Sequence, residues 1–248
     1  MSKTLIVTGA GRGIGAATAK LAARCGYSLV INYRRDDKAA GGIVDAINQS
    51  GGKAVAVRAD VSREHEVAFL FQTAEAAFGP VTALVNNAGI PGKIGRVEEL
   101  DSDILLRTFE VNVFATILCA REFMRRRRRQ SVPPSAAIVN VSSMASRTGS
   151  PGELVHYAAA KAAVETFTYG FAAEVARDGV RVNAVACGLI DTSIHAEAGD
   201  ASRVERYAGR MPMQRAGQPE EAAEAIIWLL SDAASYVTGA TLPVAGGR

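Results

Sequence analysis

An α/β fold, doubly wound around a parallel sheet, is what this sequence predicts, and three observations carry the expectation. Short β-rich runs recur along the 248 residues, most of them near-continuous apolar stretches rather than alternating ones. Such runs suit parallel strands covered on both faces. Helical segments lie between them, which argues for right-handed crossovers onto one sheet. The first run leads directly into a glycine-rich turn that opens a helix, and the turn suits close approach to a phosphate.

The strands are expected at Leu5–Thr8, Leu29–Tyr33, Ala54–Ala59, Ala83–Asn86, Ala137–Ser142, Val180–Ala186 and Thr241–Val244. The helices are expected at about 13–25, 37–49, 63–78, 102–128, 155–178 and 219–231. Gly9, Gly11, Gly13 and Gly15 follow the first strand, with Arg12 and Ile14 between them. Glycine tolerates the turn and lets amides approach a phosphate, and the helix end adds unpaired N–H groups and partial positive charge. Nucleotide binding is the reading; a purely structural turn is the competing one.

The second strand ends Asn32-Tyr33-Arg34-Arg35. Proteins that bind NAD through such a turn usually place a carboxylate there, on the adenosine 2′-hydroxyl. Here no carboxylate appears before Asp36, which begins the next helix. Arg34 and Arg35, with Arg12 from the other side, suit the 2′-phosphate of NADP(H) instead. Solvated surface arginines are the bland alternative. Asp60, followed by Val61, ends the third strand as either an acceptor for the adenine amino group or a helix cap. Asn87, Ala88 and Gly89 end the fourth strand, where small residues admit a flat ring and where amides can equally bridge strands.

Asp101 is the expected N-cap of the 102–128 helix. That helix ends in Arg125–Arg129, which suit the negative end of its dipole and read as a solvated terminus. Removing these five charges turns the net +3 into −2, so the basic balance is local and does not indicate nucleic-acid binding. Gln130–Ser135 is the best linker candidate, too short to separate domains, so residues 1–248 read as one domain. Pro219, Glu220 and Glu221 fit the start of the last helix. The polar stretch 188–215, after a strand's C-terminal end, is where a substrate lid would sit.

Tyr157 and Lys161 stand four apart on one helix face. A free phenol titrates near 10, and a neighbouring ammonium lowers that value and makes it a competent acid or base. Ser142 and Ser143 lie just past the fifth strand, where a hydroxyl can bind a carbonyl oxygen.

Taken together, Thr8-Gly9-x3-Gly13-Ile14-Gly15, Asn87-Ala88-Gly89, Asn112, Ser143, Tyr157-x3-Lys161 and Val244-Ala245-Gly246-Gly247 span almost the whole chain. On these motifs the sequence resembles the classical short-chain dehydrogenase/reductase family. The resemblance implies a Rossmann fold with a seven-stranded parallel sheet and a nicotinamide cofactor. It implies a catalytic tetrad of Asn112, Ser143, Tyr157 and Lys161, with Ser143 preferred over Ser142. It further implies that Tyr157 exchanges a proton with the substrate oxygen and that Lys161 holds the nicotinamide ribose. Asn112 would hold a relay water or fill a helix kink, and Thr192 would contact the carboxamide. Pairing of the 102–128 and 155–178 helices, commonly into a tetramer with a dimer as fallback, follows from the same likeness. The family's usual Pro-Gly after the sixth strand is here Cys187-Gly188.

The expected function is an NADP(H)-dependent oxidoreductase acting between a carbonyl and a secondary alcohol. A catalytically silent dinucleotide sensor is the rival, and a nucleotide-dependent methyltransferase a third; the retained Tyr157 and Lys161 argue against both. Cys25, Cys119 and Cys187 suit neither a disulfide framework nor a metal knuckle, and His65, His156 and His195 lack ligand spacing, so no metal is expected. His156 is read as a possible wall of the substrate pocket. Neither a membrane span nor a secretory leader is expected, and a reduced cytoplasmic setting is the default.

Overall fold

A computed structural model describes residues 3–129 and 135–248. The chain begins with β1 (Lys3–Val7), α1 (Gly13–Arg24), β2 (Tyr27–Tyr33), α2 (Asp37–Gln49), β3 (Lys53–Arg58), α3 (Glu64–Phe78) and β4 (Val81–Asn86). It continues through α4 (Ser102–Phe109), a π-helical turn at Glu110–Phe114, α5 (Ala115–Arg127), β5 (Ala136–Ser143), α6 (Ala145–Thr148), α7 (Val155–Val175) and β6 (Val180–Cys187). The last elements are α8 (Ile194–Glu197), α9 (Arg203–Ala208), α10 (Pro219–Leu230) and β7 (Thr241–Val244). The linker expected at Gln130–Ser135 lies, apart from Ser135, outside the described residues.

All seven strands pair in parallel in the order β3-β2-β1-β4-β5-β6-β7. Successive residues of β1 face opposite layers. Leu5 and Val7 pack with Ala19 and Ala22 of α1, Ile47 of α2 and Ile226 of α10. Ile6 packs with Leu70 and Phe71 of α3, Phe123 of α5 and Val175 of α7. Both faces are therefore covered, which explains why the strands read as apolar runs rather than alternating ones. The strand order reverses between β1 and β4, and this switch point opens a crevice at the C-terminal ends of the strands.

Local chemistry explains the helix boundaries. Asp101 accepts from the Ile104 amide at 2.8 Å and caps α4 as expected. Pro219 stands at the start of α10, with Gln218 and Glu221 capping each other's backbone. The helix expected over 102–128 is instead interrupted by the π turn, whose buried Val111, Asn112 and Val113 sit where α4 hands over to α5.

The arginine run is in part the solvated terminus expected, with Arg125, Arg128 and Arg129 exposed, but it also carries ion pairs: Arg126 bonds Glu122 and Glu75 at 2.6 and 2.5 Å, Arg125 pairs with Glu64, and Arg128 pairs with Asp178. The run ties α5 to α3 and to the turn after α7. The 188–215 insertion has more internal structure than its polarity suggested. Leu189, Met211 and Ala216 form a small core with Val204 and Tyr207, and a bridge between Ile190 and Gly217 holds the ends of the insertion together.

Candidate active site

The crevice at the switch point is a cleft of about 820 Å³, within the range of small-molecule and cofactor sites. Its floor is the turn between β1 and α1. Gly9 and Gly13 have φ of 62° and 52°, a region that favours glycine. The turn is pinned from both sides. Asn32, buried at the end of β2, accepts from the Gly9 amide and donates to the carbonyls of Val57 and Ala59. Asn87 donates to the carbonyls of Thr8 and Gly9 at 2.9 and 3.0 Å. The Thr8 hydroxyl accepts from the amides of Asn87 and Ala88, each at 3.0 Å.

Gly9, Gly11, Arg12, Gly13, Ile14, Val61, Asn87, Ala88, Gly89 and Thr192 all line the cleft. Gly15 does not. A Cβ there would lie 2.5 Å from Asn87 Nδ2 and 2.7 Å from the Gly9 carbonyl, so this glycine serves close packing of α1 against the strand ends.

At the far end of the cleft, Arg34 and Arg35 are present as expected, but Asp60 is not a free acceptor. Its Oδ1 accepts from the Ser62 amide and hydroxyl. Its Oδ2 accepts from Arg34 Nε and Arg107 Nη2, each at 2.9 Å. Burial would raise its pKa, but the Ser62 bonds and Arg107 outweigh that and hold it below the ordinary carboxylate value. Arg107, which bridges Asp60 to Glu110, escaped the sequence reading because it sits mid-helix with no motif around it. Arg12 forms an ion pair with Glu197 of α8 and so links the turn to the insertion.

On the opposite wall, β5 and α7 bring Ser143, Tyr157 and Lys161 together at the cleft surface. The two serines at the end of β5 point differently. Ser142 is buried and bonds Glu165 at 2.8 Å, whereas Ser143 accepts from the Ala145 amide at 3.2 Å and faces the Tyr157 phenol. Lys161 Nζ stands 5.6 Å from the centre of the Tyr157 ring and donates to the Val141 carbonyl at 2.8 Å. Burial lowers its pKa to about 8, so it is mostly charged at neutral pH.

The expectation that Lys161 pulls the phenol down is not what the free protein shows. Burial pushes the Tyr157 pKa up, against a smaller lowering by the neighbouring Ser143 hydroxyl, and the neutral phenol is the resting form. Cys187 lies beside the pair as a buried thiol, pushed up to about 12 by that burial. His156 is no pocket wall. It is buried, and Pro91 and Gly92 form the cleft surface in that region.

Asn112 stands behind this wall, in the π turn. Its Nδ2 donates to the carbonyls of Ile90 and Thr108, each at 2.8 Å. Its Oδ1 is buried without a hydrogen-bond partner. A Cβ on Gly89 would come 2.7 Å from that oxygen and 3.3 Å from Lys161 Nζ, so the glycine leaves the gap between them open. Among the described residues no His, Cys, Asp and Glu cluster could hold a metal, and no helix is long and apolar enough to cross a membrane.

The fold and the cleft define a doubly wound α/β protein with a dinucleotide turn at its switch point. Residues 9–248 match the family described as Enoyl-(Acyl carrier protein) reductase. The chain is 48% identical to the Uncharacterized oxidoreductase YgfF of Escherichia coli (strain K12), covering 98% of each. It is 42% identical to the cis-4-hydroxycyclohexanecarboxylate dehydrogenase of Sinomonas cyclohexanicum, covering 99% of this chain and 96% of that one. Among solved structures, a blue fluorescent protein from a metagenomic library in complex with NADPH superposes with a TM-score of 0.89 at 30% identity, over 99% and 97% of the two chains. The chain belongs to the classical short-chain dehydrogenase/reductase family and is an oxidoreductase of that type.

Proposed function

We propose that the protein is an NADP(H)-dependent enzyme that interconverts a carbonyl and a secondary alcohol on a small-molecule substrate. The observation that carries this reading is the convergence of Ser143, Tyr157 and Lys161 on one wall of a cleft whose floor is the glycine turn. The glycine turn, the Asn87–Gly89 segment and Thr192 would hold a nicotinamide dinucleotide. The coenzyme, when bound, supplies or accepts the hydride.

Tyr157 donates its proton to the substrate oxygen as the carbonyl is reduced and takes it back in oxidation. Its resting neutral form is the one that reduction needs. Ser143 donates a hydrogen bond to the same oxygen, where negative charge develops. Lys161 keeps the phenol oriented and places positive charge beside it. Its ammonium and the unpartnered Asn112 Oδ1 can share one water, which would resupply the proton.

NADP(H) is favoured over NAD(H) because β2 ends in Asn32 and Tyr33 and is followed by Arg34 and Arg35, with no carboxylate there. Arg34, Arg35 and Arg12 line the cleft and would meet a 2′-phosphate, and one structural relative is a complex with NADPH. Asp60 and Val61 border the adenine end of the same cleft. Residues 1–248 act as one catalytic unit, with 188–215 as the lid. A homotetramer built on α4, α5 and α7 would cover the exposed Leu106, Phe114 and Tyr169. A dimer is the smaller alternative, and a monomer in light scattering would refute both. A cytoplasmic location agrees with three unpaired cysteines, two of them buried.

The test is NADPH consumption against a panel of ketones, with Tyr157→Phe as the control. We expect turnover to fall by about 10²–10⁴-fold, the usual contribution of a general acid, while NADPH binding is kept. Near-normal turnover in this variant would overturn the role given to Tyr157.

A further inference from the structure

Beside the cleft lies a second cavity of about 220 Å³, which Glu153, Arg203 and Tyr207 help to line. It shares Thr148, Ser150, Leu189, Arg203 and Arg248 with the main cleft, so it extends the substrate side rather than forming a separate site. Arg203 is the unusual member. It belongs to α9 of the insertion, yet its side chain is only 13% exposed.

The charges around Arg203 are unevenly matched. Its Nη2 pairs with Glu153 Oε2 at 2.6 Å, and the other oxygen of Glu153 accepts from the Tyr207 hydroxyl at 2.9 Å. Both oxygens of Glu153 are thus engaged. Arg203 Nη1 is buried with no hydrogen-bond partner and meets Asp200 Oδ2 only as an ion pair at 3.7 Å. Asp200 is itself drawn to Arg206 and to the Ser202 hydroxyl. Three guanidinium groups, of Arg203, Arg206 and Arg210, stand 5.0–5.4 Å from the centre of the Tyr207 ring. Arg248 adds a further guanidinium at the rim, without an ion pair among the described residues. A buried donor without an acceptor is costly, and a guanidinium fork matches a carboxylate.

We infer that this cavity is a subsite for a carboxylate carried by the substrate, with Arg203 as its anchor and Arg248 at its rim. The preferred substrates are then oxo acids and hydroxy acids whose carboxylate lies some way from the reacting carbon. This rests on the reading of the cleft as a carbonyl reductase site and narrows it to a substrate class. Because Arg203 lies on the insertion, the bound carboxylate also holds the lid over the substrate. Binding energy from a non-reacting group is thereby used to close the site.

The test compares levulinate and its next two homologues with their neutral carboxamides. Each pair shares one methyl ketone and one shape. For the wild-type protein with NADPH we expect kcat/KM to favour the acids by at least about tenfold, mainly through KM, as for one charge-assisted contact. In Arg203→Met the ratio of acid to amide should collapse towards one. Arg203→Lys keeps a positive charge facing Glu153 but loses the fork, so it should fall between; it also serves if the Met variant does not fold. A wild-type ratio of one or less, or a ratio that survives both substitutions, overturns the subsite. If no ketone of either kind is turned over, the reductase reading fails instead. Calorimetric titration of the same acids and amides into wild-type protein with NADPH then decides the subsite separately, and equal binding of the two overturns it.

Discussion

Lys161 imposes a cost on the fold that can be measured. It is 4% exposed, and its folded pKa is about 8 against an ordinary 10.5. Below about pH 8 the folded and unfolded chains both hold the proton, and the full cost of the buried charge is present. Between about pH 8 and 10.5 the unfolded chain binds more protons, so stability rises with pH. Above 10.5 both forms are neutral and the cost is gone. At 1.36 kcal/mol per pH unit, that interval corresponds to about 3 kcal/mol. Lys161→Met removes the titration and leaves the Val141 carbonyl without its donor, a loss that does not vary with pH. The stability of the wild type minus that of the variant should therefore climb by about 3 kcal/mol from pH 7.5 to 10.5. Urea unfolding of both proteins at each pH gives this difference, and the other titrating groups cancel in it. A difference constant to within about 0.5 kcal/mol would show that the ammonium is not buried as described.

Two further expectations concern ligands. Arg34→Ala should weaken NADPH binding by about tenfold to a hundredfold, and removing Arg12 as well should weaken it further. Titration with both coenzymes checks this, and NADH binding as tightly as NADPH in the wild type would refute it. Amides at about 190–212 should exchange faster in the free protein than with coenzyme and substrate bound, because the insertion rests on a small core and a few ion pairs. Equal, strong protection in both states would count against a lid.

The parts of the fold legible in the sequence were those with a local cause. Apolar runs such as Leu29–Ile31 marked strands because both faces of the sheet are covered. Asp101 and Pro219 marked helix starts because capping is settled within four residues. The glycine turn and the Tyr157–Lys161 pair were legible because each is a fixed spacing on one element.

Properties that depend on distant partners were not legible. Arg107 reaches Asp60 only because α4 packs beside the end of β3. That the Arg125–Arg129 run also meets Glu64 and Glu75 follows only from the packing of α3 beside it. The phenol of Tyr157 appeared to be governed by its lysine, whereas burial, which spacing does not reveal, dominates its titration. The resemblance preferred Ser143 over Ser142, but the physical reason needed Glu165, which captures the Ser142 hydroxyl.

The π turn at Glu110–Phe114 sets the rotational phase between α4 and α5. Each residue advances a helix by about 100°, so the wide turn resets the phase between its two halves. In the first half this phase aims Arg107 at Asp60; in the second it sends Cys119 and Phe123 into the core. Recasting these residues as α-helix at unchanged length would rotate one half by about 100° against the other. Either the arginine would swing off the adenine end of the cleft, or the core face of α5 would turn outward. The wide turn is therefore what lets one continuous helical segment serve both the cleft and the core.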